Sequence, residues 1–278
     1  MKTIKIMCLH GVGNYEADSD DWKIKWSDII KNQLNKYDTP PITDYEFKFF
    51  EYDKYFSDRE IDDEVIIKTI YNLIRKKEKT REDVMLSHTK LMFWSGLTEK
   101  IRWTAGMVIQ WMGDSKLRQI LRTALLHDIE DFNPDVILGH SMGSLIAYDY
   151  FLRKLSCNKK IILMTLGSQI SNFGIRNVFK DQIVPVNIQF WFNLYNEKDD
   201  IFVESIDIND IRFRQLNTTF DISQFGDHAP TEYLKHENTS EVWKYIDDRI
   251  ITSSEGYTVQ KSNIWKSIVS FISKLFKK

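Results

Sequence analysis

The sequence predicts an α/β protein with a mostly parallel sheet and helices on both faces, and three observations predict it. Residues 3–9 and the run 133–138 are short, apolar and partly β-branched, and read as buried strands. Each strand runs into a glycine-bearing turn: His10-Gly11-Val12-Gly13 after the first, Gly139-His140-Ser141-Met142-Gly143 after the second. Between and beyond them helical and strand-like stretches alternate, the pattern of parallel strands joined by helices.

The elements follow in order. After the first strand, residues 21–37 read as a helix that Pro40-Pro41 brings to a stop. Residues 45–56 alternate aromatic and polar side chains like a strand. Residues 61–79 carry Val65, Ile66, Ile70, Leu73 and Ile74 as a helical stripe. Beyond the second turn, residues 144–152 predict a helix, 160–168 a strand, and 185–195 a strand rich in β-branched and aromatic residues. Residues 211–220 predict a further strand, and 241–250 the closing helix. Residues 84–113, with Trp94, Trp103 and Trp111, are an addition to this scheme. They read either as ordinary core or as a cap, because glycines at 96, 106 and 113 could cut them into short movable helices.

The two turns carry the chemistry. A Gly-x-Ser-x-Gly pentapeptide between a strand and a helix is a nucleophile elbow, a turn sharp enough to need glycine neighbours, which pushes the serine Oγ out at the carboxyl end of the sheet. Ser141 is therefore the candidate nucleophile. Acyl transfer through a serine builds negative charge on the carbonyl oxygen, which preorganised backbone N–H donors stabilise. In an elbow fold one donor is the residue after the nucleophile, here Met142, and the other comes from the loop after an early strand. Val12 N–H in the His-Gly-Val-Gly loop is the candidate for the second. His10 reads as a group that orients this loop by hydrogen bonding or as a satisfied turn histidine, and not as a general base.

On these residues the chain resembles the α/β-hydrolase superfamily. Its motifs are similar to those of compact bacterial lipases and esterases with a His-Gly-x-Gly oxyanion loop and a His-Ser-Met-Gly elbow. It also resembles lipase-like serine esterases that act on lipid-anchored or membrane substrates. The likeness covers residues 1–14 and, more loosely, 133–250. It implies that residues 1–250 form an α/β-hydrolase domain with Ser, Asp or Glu, and His in that order. Of six histidines only His228 and His236 follow Ser141. His228 lies in a loop marked by Gly226 and Pro230, as a base above the sheet requires, whereas His236 reads as a helix-surface residue. The acid should end a strand between them. Family members often carry Asn-x-x-Asp-Pro-Val here, which Asn196, Asp199 and Ile201 match, while Asp200 replaces the proline. Asp199 is favoured, and Asp200 stays open. Asp227 is too close in sequence to His228 to reach its Nδ1.

The remaining features bound the function. At 278 residues one α/β domain with an ample core is expected. A net charge of −2 gives no reason to expect nucleic acid. Cys8 and Cys157 make no disulfide framework and suggest a reducing, cytoplasmic setting. Lys2 and Lys5 interrupt the N-terminus, so no secretory signal is expected, and no uncharged apolar run of about eighteen residues could span a bilayer. No zinc, P-loop or dinucleotide spacing is present, so neither a metal nor an organic cofactor is expected. Residues 251–260 read as a linker to a tail, 261–278, that carries five lysines and no acids. On a helical wheel its Ile, Leu, Val, Phe and Trp side chains fall within about 160° of arc. That tail reads as a basic amphipathic helix. It either lies on the inner face of a membrane or docks on the domain or on a partner subunit.

The expected function is a serine hydrolase that cleaves carboxylic esters, with a small-molecule, lipid or acyl ester as substrate. The same triad would serve an acyltransferase or a thioesterase. A catalytically inactive, membrane-docked binding or regulatory module is the competing class. Oligomeric state is not legible in the sequence.

Overall fold

The structure is a computed structural model that describes residues 2–12, 21–34, 43–56, 65, 99–153, 161–180, 182–199, 205–221 and 228–254. Outside these residues lie Asp200, Cys157, residues 84–98 and the tail 261–278, together with the helix expected over 61–79 apart from Val65.

Six described strands, β1 (Lys2–Leu9), β2 (Thr43–Phe49), β3 (Val136–His140), β4 (Ile162–Leu166), β5 (Phe190–Tyr195) and β6 (Phe213–Asn217), form one sheet in the order β2-β1-β3-β4-β5-β6. Every neighbouring pair is parallel. The described helices are α1 (Asp21–Leu34), α2 (Glu99–Gly113), α3 (Ser115–Phe132), α4 (Met142–Arg153), α5 (Phe173–Arg176), α6 (Pro230–Lys235) and α7 (Glu237–Ser254). The fold is α/β with a parallel sheet covered on both faces.

Period-two alternation divides the core. Met7, Leu9, Ile137, Leu163, Trp191 and Phe213 point to one face and join the side chains of α2, α3 and α4. Ile4, Ile6, Cys8, Val136, Leu138, Met164, Leu194 and Leu216 point to the other and meet α1, α6 and α7. Full burial of β3 and β4 on both faces explains their nearly unbroken apolar sequence. Helix α3 shows why these residues form a helix. Asp114 caps it through Lys116 N–H and Leu117 N–H, Leu117, Leu121, Leu125 and Ile129 repeat along one buried stripe, and Asn133 ends it in the left-handed region at φ 55°. Helix α6 is pinned from below, since Gln33 Nε2 of α1 donates to the Leu234 carbonyl at 3.1 Å.

Several elements differ from the sequence reading. The strand expected over 45–56 stops at Phe49, paired with Cys8 one residue before β1 ends, and Asp53–Tyr55 turns as a 3₁₀ helix. The strand expected over 185–195 begins only at Phe190; Pro185, which has no N–H to give, precedes the ladder. The strand expected over 211–220 is shorter too, since Asp210 binds Arg212 and folds residues 210–212 into a turn before Phe213. Gly106 does not break α2. In the described part of 84–113, Met107, Val108 and Trp111 are buried in the core, with Trp111 edge-on to Phe179. Arg118 donates to the last carbonyls of α2, those of Trp111 and Met112. Helix α7 runs to Ser254, into the stretch expected to be linker.

The topology fixes where a site can form. From β1 the chain passes to β2 on one side, then returns to β3 on the other, so the loops after β1 and β3 part at the carboxyl edge of the sheet. Such a switch point leaves a crevice that a ligand can enter. The loops after β1 and β3 are the His-Gly-Val-Gly and Gly-His-Ser-Met-Gly turns.

Candidate active site

The elbow is built by register. Leu9 pairs with Gly139 and His140 with Leu166, so the carboxyl ends of β1, β3 and β4 lie side by side. Ser141 N–H donates to Leu166 O at 3.0 Å and Ser144 N–H to Ser141 O at 2.9 Å. These bonds hold Ser141 at φ 49°, a left-handed conformation that costs a non-glycine residue about 1–2 kcal/mol. The Ser141 carbonyl also accepts from Ser144 Oγ at 2.5 Å, and Ser144 Oγ lies 2.8 Å from Ser168 Oγ. Helix α4 starts against β1: Gly143 N–H donates to His10 O at 3.0 Å. A β-carbon at 143 would sit 2.5 Å from the His10 carbonyl oxygen and closer still to that of Leu9, so the second motif glycine is a packing necessity.

The loop after β1 lies directly on the candidate nucleophile. A β-carbon at Gly11 would come within 3.1 Å of Ser141 Cβ. His10 is buried and stacked on Tyr52 at 4.3 Å between ring centroids. Its Nδ1 is 2.5 Å from the Gly11 carbonyl, which can only accept, so Nδ1 carries the proton. Burial lowers the His10 pKa to about 4, and the ring is neutral at neutral pH. The Tyr52 hydroxyl sits 2.8 Å from His10 O and 3.1 Å from Gly11 O. The loop's carbonyls are thus engaged. Neither Val12 N–H nor Met142 N–H donates to another group among the described residues.

The candidate acid and base meet across the sheet edge. Asp199 follows β5 in a turn shaped by Asn196, whose Oδ1 accepts from Lys198 N–H and whose Nδ2 donates to Phe220 O. Its side chain is fully buried, and Oδ2 is 2.6 Å from His228 Nδ1. A carboxylate oxygen accepts, so Nδ1 holds the proton and Nε2 carries the lone pair. Nε2 is buried without a hydrogen-bond partner among the described residues. His140, next to Ser141, ties His228 to this turn: its Nε2 donates to the His228 carbonyl at 2.9 Å, with ring centroids 4.7 Å apart. Burial first, and His228 second, hold the His140 pKa well below the ordinary histidine value, so this ring also stays neutral.

The structure thus sets the loop after β1 against Ser141, and the Asp199–His228 pair against His140 of the same turn. Asp200 lies outside the described residues. His236 is elsewhere in role: it joins α6 to α7, and its Nδ1 accepts from Asn238 N–H at 3.1 Å as a helix cap. The sequence reading missed Tyr52, Tyr233 and the bond made by His140. Nothing local marks the two tyrosines, whose hydroxyls act on residues far along the chain. His140 was visible inside the elbow motif, but its partner was not. Among the described residues no cluster of three or more His, Cys, Asp or Glu side chains could hold a metal ion. No described helix is long and apolar enough to cross a membrane.

No family model matches the sequence, and no curated protein matches it. Among solved structures, one described as RedJ with a PEG molecule bound in the active site is 12% identical, with 89% of this chain and 90% of that one covered and a TM-score of 0.37. An FMN-dependent NADH-azoreductase from Bacillus anthracis str. Ames Ancestor, in complex with FMN, is 8% identical, with 88% and 99% covered and a TM-score of 0.24. Neither similarity bears on the chemistry of this site, which rests on its own residues.

Proposed function

We propose that this chain is a serine hydrolase of the α/β-hydrolase type that cleaves carboxylic esters, with lipid or long acyl esters as its substrate class. One observation carries the reading. His228 and Asp199, 29 residues apart, meet at 2.6 Å beside the turn that holds Ser141 in a left-handed conformation. An imidazole with Nδ1–H on a buried carboxylate presents a basic Nε2, and a serine lifted out of a strand end is the nucleophile such a base serves.

In this reading Ser141 Oγ attacks the ester carbonyl while His228 Nε2 takes its proton. Asp199 holds the tautomer and stabilises the imidazolium. The Val12 and Met142 N–H groups bind the oxyanion. His228 then gives its proton to the departing alcohol, leaving an acyl-enzyme on Ser141, and water activated by His228 releases the acid. The lipid preference is supported by the sequence of the basic amphipathic tail, which would rest on a membrane surface.

The test is labelling by a fluorophosphonate probe, followed by an ester panel of graded acyl length that includes phospholipids and thioesters. Labelling confined to Ser141 and turnover of an ester support the proposal. A folded protein that neither labels nor hydrolyses any member overturns it in favour of a binding module. Product transferred to an added alcohol or thiol in preference to water would make the enzyme an acyltransferase.

A further inference from the structure

Asp199 Oδ2 accepts two hydrogen bonds, one from His228 Nδ1 at 2.6 Å and one from the hydroxyl of Tyr233 at 2.8 Å. We propose that Tyr233 is a positioning residue of the His228–Asp199 pair, whose hydroxyl fixes the carboxylate and moderates the charge it presents to the imidazole. The proposal rests on the serine-hydrolase reading and names a residue for it that no motif marks.

A carboxylate held by one donor retains freedom about its last torsion, which is broad and roughly two-fold. A second donor on the same oxygen removes it. Tyr233 suits that task because it cannot move away. It is fully buried and lies edge-on to Phe220 with centroids 5.0 Å apart, and its carbonyl accepts from Thr239 Oγ1 at 2.5 Å. Helix α6 starts two residues after His228, with Pro230 at its first position, so less than two turns of backbone separate base and hydroxyl. A buried hydroxyl without a partner is costly, and here its partner is the carboxylate itself. Two donors on one oxygen compete for its electron density. The Tyr233 bond therefore sets how strongly Asp199 draws on the Nδ1–H of His228.

Tyr233→Phe keeps the ring and removes only the hydroxyl. On a short-chain ester kcat should fall about tenfold with KM within about twofold, the size of one hydrogen bond to a charged group realised in the transition state. The low-field proton resonance of His228 Nδ1–H should move further downfield, because a donor competing for the same oxygen is gone. In an Asp199→Asn background the same change should have little further effect on kcat. A kcat within twofold of wild type, an unmoved resonance, or independent losses in the double variant would overturn the proposal, since a ring that only fills space gives these results. Should the Phe variant not fold, site-specific 3-fluorotyrosine at 233, a stronger donor of nearly the same shape, should shift the resonance upfield, and no shift overturns the proposal. If the wild-type protein neither labels nor hydrolyses, the hydrolase reading has failed on its own, and the resonance still decides whether Tyr233 governs the pair.

Discussion

Ser141 stores backbone strain that its neighbours hold in place, and His228 is gripped at Nδ1 and at its carbonyl while Nε2 makes no bond among the described residues. Groups that act as a unit fail as a unit. Ser141→Ala and His228→Ala should each abolish ester hydrolysis with the melting temperature retained, and Asp199→Asn should lower kcat by about 10³-fold or more. Asp200→Asn and His236→Ala should be mild, and loss of activity in either would reassign the acid or the base. His10 predicts a pH effect on stability. Its pKa is about 4 in the fold against an ordinary 6.5, so only the unfolded chain takes the proton between those values. The stabilisation is complete above pH 6.5 and drains away as pH falls to about 4, a loss of about 3 kcal/mol for this buried ring. His140 acts in the same direction. Urea unfolding at pH 7 and pH 4.5 checks this, with a smaller difference expected in His10→Asn.

At the scale of elements, α2 separates two readings of the tryptophan-rich segment. Its carboxyl-terminal half is core: Trp111 and Met107 are wholly buried, and α3 caps it through Arg118. Trp111→Ala should therefore lower unfolding free energy by about 3–5 kcal/mol, the cost of removing a large side chain from a packed interior. A lid would lose little stability and would change KM for long-chain esters instead. Differential scanning calorimetry beside a chain-length profile distinguishes them. The sheet explains why this helix is not free to move, since α2 and α3 cover the face to which Met7, Leu9 and Ile137 point.

The candidate site lies at one edge because all six described strands run the same way and the connection order reverses at β1. Every loop of the site leaves a strand at its carboxyl end, or follows β6 in the case of His228. None of the candidate site residues belongs to the sequence 261–278. Deleting residues 261–278 should leave hydrolysis of a short soluble ester nearly unchanged and should reduce co-sedimentation with anionic vesicles. The effect should be largest at low salt, where lysine attraction to anionic lipid is least screened. Full-length protein that does not bind such vesicles would sink the membrane assignment, and a lowered melting temperature on deletion would point to docking on the domain.

The α/β class, the two turns and the candidate nucleophile were legible in the sequence because each depends on neighbours along the chain. Strand periodicity, glycine spacing and histidine order are all local or ordinal properties. Strand ends were misread where the chain leaves the ladder for a turn, after Phe49 on the way to Asp53–Tyr55 and before Phe213 at Asp210. Only the tertiary structure set Asp199 against His228, gave His140 a carbonyl to hold, and brought Tyr52 to the loop 42 residues behind it and Tyr233 to a carboxylate 34 residues away. Such contacts depend on sheet order and helix seating. No periodicity records them, because a buried tyrosine reads the same in sequence whether its hydroxyl meets a backbone carbonyl or a carboxylate beside the candidate base.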